Sequence, residues 1–195
     1  MRSLRAASCL LFLAACAPAE SASAQASRAD QIARAVLAAP ESLRDGATVL
    51  GYGGEPREGD PLTVLRPGSN GIVCLADDPV REGFHVACYH ESLDPFMVLG
   101  RRLTAAGEDR ATVQEARRAA IDAGEMKAPA AALWSLTSES DVDTAAGPGD
   151  GARRLSVLYV PYAEADELGL PTHPDGDSPW LMLPGQPWAH VMIPR

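Results

Sequence analysis

The chain is short of lysine, asparagine and aromatic residues. Lys127 is its only lysine and Asn70 its only asparagine, and Phe, Trp and Tyr together make up 5% of 195 residues. A core built here must therefore come mostly from Val, Leu, Ile, Ala and Met. Positive charge is also scarce: 17 Lys and Arg stand against 26 Asp and Glu, a formal net charge of -9. That sign argues against nucleic-acid binding, which needs a basic surface to displace counterions from phosphates. The arginine pairs at 101/102, 117/118 and 153/154 are isolated and supply no such surface. Nucleophile, zinc-protease and phosphate-loop signatures (G-x-S-x-G, H-E-x-x-H, G-x-x-x-x-G-K-[ST], G-x-G-x-x-G) are absent. Arginine in place of lysine, with abundant Ala, Gly and Pro, matches the bias of a GC-rich bacterial genome, so alanine runs are weak evidence for helix.

What is present begins with an address. "MRSLRAASCLLFLAACAPAESASAQA" opens with two arginines, continues with an apolar run of about ten residues from Ala6 to Ala15, and ends in small residues. That order reads as a secretory signal, and the run is too short to span a bilayer, which needs ~20 residues. Leu13-Ala14-Ala15-Cys16 resembles the lipobox of bacterial lipoproteins, whose cysteine is acylated and becomes the mature N-terminus. The resemblance implies a signal peptide at 1–15, a lipid at Cys16 and membrane attachment facing the periplasm or cell surface. Cleavage after Ala24 or Ala26 is the alternative, giving a soluble periplasmic or secreted protein. Residues 16–27 read as a flexible tether, and 28–195 as one globular domain.

Both export routes remove Cys9 and leave Cys74 and Cys88 as the only pair of thiols in an oxidising compartment. They lie in "NGIVCLADDPVREGFHVACYHE" (70–91) with His85 and His90. With a strand period of two, Ile72, Cys74 and Ala76 share one face, as do Phe84, Val86 and Cys88. Cross-strand neighbours of this kind suit a disulfide, preferred near ~5.5 Å between Cα atoms. A zinc site from His85, Cys88 and His90 is disfavoured, because positions 85 and 90 point to opposite faces of a regular strand. No C-x-x-C or C-x-x-C-H is present for thiol exchange or haem attachment.

The surrounding pattern predicts an α+β fold: a single domain with an antiparallel sheet of about five to seven strands and two or three helices on one face. "PLTVL" (61–65), "GIVCLA" (71–76) and "GFHVACY" (83–89) read as three antiparallel strands, the first two joined by a hairpin at Asn70-Gly71. "ATVLGYG" (47–53), "AALWSL" (131–136), "RLSVLYVPY" (154–162), "PWLMLPG" (179–185) and "PWAHVMIP" (187–194) read as further strands, the last two turned at Pro184-Gly185. Helices are expected after the Ser27–Asp30 capping box, after Asp94 as N-cap to Pro95, and from a capping box at Thr112–Glu115 to Gly124.

Little chemistry is legible. In "WAHVMI", Trp188, His190 and Met192 share a face opposite Ala189, Val191 and Ile193, so His190 could be the polar tip in an apolar groove. His173, in "HPDGDS" with Asp175 and Asp177, would have to converge on His190 to form a catalytic site; the loop lacks the frame of a calcium site. No metal or cofactor is implied. "LRPGSNGIVCLADDP" (65–79) and the closing "PWAHVMIP" (187–194) resemble a group of uncharacterised bacterial exported proteins carrying L-R-x-G-x-N-G-x-x-C-L and P-[YW]-x-H-[VL]-M-[IV]-P. The resemblance implies export and a single domain, assigns no reaction, and aligns His190 with the histidine of the terminal pattern. The expected role is thus an exported envelope protein, non-catalytic, that binds a small ligand or another envelope component; the rivals are an enzyme using His190 and His173, and a scaffold without ligand. Mass spectrometry of the mature N-terminus is expected to find acylated Cys16, and a free terminus at Gln25 or Ser27 would refute the lipid anchor.

Overall fold

The computed structural model describes residues 27–54, 61–144, 147–149 and 151–195. Cys9, Cys16 and the signal and tether up to residue 26 lie outside them. Helix α1 (Arg28–Ala35) starts as the sequence predicts. The Ser27 side chain accepts from the Asp30 N–H, and the Asp30 carboxylate accepts from the Ser27 N–H. A 3₁₀ turn, Val36–Ala38, continues it, and a single turn α2 (Glu41–Arg44) follows.

Eight strands then form one sheet: β1 (Thr48–Gly51), β2 (Thr63–Arg66), β3 (Ile72–Leu75), β4 (Phe84–His90), β5 (Ala132–Ser138), β6 (Arg153–Tyr159), β7 (Trp180–Met182) and β8 (His190–Pro194). The spatial order is β2-β1-β3-β4-β5-β6-β8-β7. The α+β class holds, but the sheet exceeds the expected five to seven strands and is not wholly antiparallel. β1 lies between β2 and β3, antiparallel to the first and parallel to the second.

The expected β2–β3 hairpin at Asn70-Gly71 is therefore replaced by a crossover, for a reason visible in the contacts. The segment after β2 folds back over the start of β1. Ser69 and Asn70 donate their N–H groups to the Gly46 carbonyl at 2.7 and 3.2 Å, and Gly68 N–H donates to Thr48 Oγ1 at 3.0 Å. A Cβ on Gly68 would lie 2.2 Å from the Thr48 nitrogen, so only glycine passes there. Asn70 caps two elements at once: Nδ2 donates to the Leu43 carbonyl and Oδ1 accepts from Ile72 N–H. The turn chemistry is real, with Gly71 at φ 74°, but it serves a long-range join.

Cys74 and Cys88 face each other directly across β3 and β4 and form a disulfide, with Cα atoms 4.0 Å apart. Both are fully buried. They share a core with Ala35, Val36, Ile72, Phe84, Val86 and Leu136, roofed by α1 and its 3₁₀ extension. The opposite face is apolar too: Val73 and Tyr89, the neighbours of the cysteines, pack with Leu93, Met97, Leu133 and Tyr159. Helices α3 (Asp94–Ala105) and α4 (Arg110–Asp122) lie on this second side, joined through Phe96, Ala120, Ile121 and Trp188. The expectation of helices on one face is thus corrected, because the central strands bury side chains in both directions.

Two helix starts are corrected as well. Asp94 is not the N-cap of α3; its carboxylate accepts from the Tyr89 hydroxyl at 2.7 Å, and Arg101 donates to that same hydroxyl at 2.9 Å. Helix α4 is capped by Asp109, which accepts from Thr112 N–H at 2.8 Å, so Thr112 sits inside the first turn. Replacing both cysteines by alanine is expected to lower unfolding stability by about 3 kcal/mol, from the unfolded-chain entropy of a loop of this length. Urea denaturation checks it, and an unshifted midpoint would contradict it.

Candidate functional site

His190 opens β8 on the second face of the sheet. The pairing sets it opposite Tyr159 and Met182, with Met192 on the same side. Ala189, Val191 and Ile193 belong to the other face, as the alternation predicts. The imidazole Nδ1 lies 2.8 Å from the Trp188 carbonyl, so Nδ1 carries the proton and donates. Nε2 is left as an acceptor. The ring lies against Tyr159, with centroids 5.0 Å apart at 36°. Burial pushes the imidazole pKa below its ordinary value, partly offset by the bond to Trp188.

Tyr159 connects His190 to a larger aromatic group. Phe96 meets Tyr159 edge-on at 6.0 Å and lies 6.0 Å from Trp188. Two arginines from α4 close over these rings. The Arg117 guanidinium stacks 3.8 Å above Phe96, and Arg118 stacks 5.1 Å from Trp188. Arg117 Nε donates to the Phe96 carbonyl at 3.1 Å, and Arg118 is hydrogen-bonded to Gln186. The seat for Arg117 is Gly100, in the middle of α3: a Cβ there would lie 2.0 Å from a terminal guanidinium nitrogen. Burial lowers the Arg117 pKa, with nearby Arg101 acting in the same direction. It raises that of Tyr159, which Arg117 partly opposes.

Beside this group, two non-glycine residues hold left-handed backbone, Tyr162 at φ 63° and Leu183 at φ 58°. Each such conformation costs on the order of 1–3 kcal/mol and persists only where the surroundings over-determine it. Here their segments are tied together: Tyr162 N–H donates to the Gln186 carbonyl and Gly185 N–H to the Ala163 carbonyl. Leu183 packs into the same aromatic cluster.

The remaining sequence candidates do not join this group. His173 is exposed on its loop, with Nδ1 3.1 Å from Thr172 Oγ1, and Asp175 bridges to Ser178. Among the described residues no hydrogen bond or ion pair links His190 to His173, Asp175 or Asp177, so they form no nucleophile–base pair. His90 turns to Ser92, Cys88 is in the disulfide, and no group of three or more His, Cys, Asp or Glu among the described residues is arranged to hold a metal. A separate hollow of about 280 Å³ is lined by Ser27, Arg28, Gln31, Tyr52, Gly53, Gly54 and Leu65. Polar groups in its wall are already committed, since Gln31 bonds both main-chain groups of Tyr52 and Arg28 bonds the Leu65 carbonyl.

Sequence reasoning singled out His190 and did not anticipate the packing of Arg117, Tyr159 and Gly100 beside it. A signal existed: Arg117 stands four residues from both Val113 and Ile121, on the stripe that should be apolar. Compared with family models, curated proteins and solved structures, the chain matches none.

Two outcomes follow from the packing. Gly100→Ala, normally worth about 1 kcal/mol in favour of a helix, is expected to lower the melting temperature here; a rise would show that the guanidinium does not need that seat. The His190 imidazole is expected to titrate below 6.5 by NMR. Because the unfolded chain then holds the proton more tightly, His190 stabilises the fold above pH 6.5, and that contribution is lost as pH falls toward the folded pKa. His190→Gln should flatten that part of the stability profile.

Proposed function

We propose that this chain is an exported bacterial envelope protein, held to a membrane by a lipid on Cys16, whose domain acts without catalysis by binding a small ligand or another envelope component. The observation that carries the reading is the Cys74–Cys88 disulfide, fully buried between the central strands. Such bridges persist in oxidising compartments and are rare where glutathione and thioredoxin keep thiols reduced. The N-terminal signal pattern and the lipobox at 13–16 support the same address. A binding role is favoured by the chemistry of the His190 side: aromatic rings, two stacked guanidiniums and an imidazole acceptor, with no nucleophile hydrogen-bonded to a base there among the described residues. Among the described residues no helix is long and apolar enough to cross a membrane, and attachment is assigned to the lipid.

The test is expression of the full chain in a bacterial host, followed by fractionation, alkylation of free thiols and intact-mass analysis. The expected result is an envelope-associated protein in which Cys74 and Cys88 resist alkylation until reduced. Recovery in the cytoplasmic fraction with both thiols free would overturn it.

A further inference from the structure

We infer that Arg117 and Tyr159 form an oxyanion-binding site, which receives the carboxylate or phosphate group of a small ligand at the junction of α4 with β6 and β8. The inference rests on the reading of the domain as a binder and specifies what it binds.

Arg117 carries a charge that no carboxylate among the described residues meets. Arg117 is half-buried, and removing a cation from water is costly unless an anion or acceptors replace the lost hydration. Its Nε is used by the Phe96 carbonyl. Its two terminal nitrogens have no acceptor among the described residues, and no ion pair involves Arg117. Asp94, the acidic residue that opens α3, is taken by Tyr89 and Arg101. A chain with nine more acidic than basic residues has carboxylates to spare, yet none among the described residues pairs with this guanidinium.

Stacking on Phe96 and the notch at Gly100 fix the plane of the guanidinium. A fixed guanidinium with both terminal nitrogens unused is a bidentate donor for a planar or tetrahedral oxyanion. Tyr159 supplies a further donor. Its ring is held against Phe96 and His190, but its hydroxyl makes no hydrogen bond among the described residues, where buried tyrosine hydroxyls usually find one. No fully buried side-chain nitrogen or oxygen among those residues lacks a partner, so the Tyr159 hydroxyl and the Arg117 terminal nitrogens reach the surface. His190, whose ring lies against Tyr159 and whose Nδ1 donates to the Trp188 carbonyl, keeps Nε2 as an acceptor for a ligand hydroxyl. Leu183, one of the two strained residues, packs into the same cluster as Phe96 and Tyr159.

The experiment is calorimetric titration of the disulfide-intact chain at low ionic strength with inorganic phosphate in one arm and acetate in the other; the stronger arm identifies the anion class. Saturable binding is expected in at least one arm. Arg117→Gln and Tyr159→Phe should each weaken it about tenfold, the effect of losing one charge-assisted hydrogen bond. Arg102→Gln, an exposed arginine on α3, should leave it unchanged. Absence of saturation in both arms, or equal weakening by Arg102→Gln, overturns the site. If Arg117→Gln fails to fold by circular dichroism, Tyr159→Phe and the wild-type titration decide. Failure here with an intact disulfide in envelope fractions leaves the export reading standing; free thiols in the cytoplasm would sink that reading separately.

Discussion

The structure depends on a central pair of strands that must be covered on both sides. In β3 and β4 the pleat sends Cys74, Cys88, Phe84 and Val86 one way and Val73 and Tyr89 the other, and all six are buried. A strand with two dry faces cannot sit at the surface of a one-layer stack. Helix α1 and its 3₁₀ extension answer the first face; α3 and α4 answer the second. The disulfide adds a covalent fastening between β3 and β4, beneath Ala35, whose carbonyl oxygen lies 3.4 Å from the Cys88 sulfur.

The second layer carries the aromatic cluster, the His190 imidazole and the stacked guanidiniums. On the α1 side arginines serve the backbone: Arg44 and Arg154 both donate to the Leu37 carbonyl, and Arg66 donates to the Ala47 carbonyl. There, guanidiniums take up main-chain carbonyls of the 3₁₀ turn and of the loop before β1. Arg117 differs: its Nε serves the Phe96 carbonyl and its plane stacks on the Phe96 ring, while its terminal nitrogens have no acceptor among the described residues. The same residue type thus finishes main-chain hydrogen bonds on one side of the sheet and packs on an aromatic cluster on the other.

Much of this was legible from local pattern. Period-two alternation located the strands, sorted the residues of β8 onto the correct faces and paired Cys74 with Cys88. The capping box at Ser27–Asp30 placed the start of α1. What escaped was decided by contacts distant in sequence. Asn70-Gly71 is a hairpin signal, and only the arrival of residues 46–48 beside it turns that signal into a crossover. Asp94 looks like a cap until Tyr89 claims its carboxylate. Arg117 looks like a solvated charge until α3 presents a glycine and a phenylalanine ring to it. His190 was found because its strand position alone fixed its direction; its companions come from three other elements.

One topological detail bears on how this flank of the sheet holds together. Strand β8 lies inside the sheet, between β6 and β7, and among the described residues it is β7's sole strand partner. Were β8 to detach, β7 would be adrift and the flank of β6 bare, next to Leu158, which is already 45% exposed in the finished fold. An unpaired edge of that kind invites pairing with another chain. The short outer strand is thus held at second hand, and its order can be no more durable than the grip of β6 on β8.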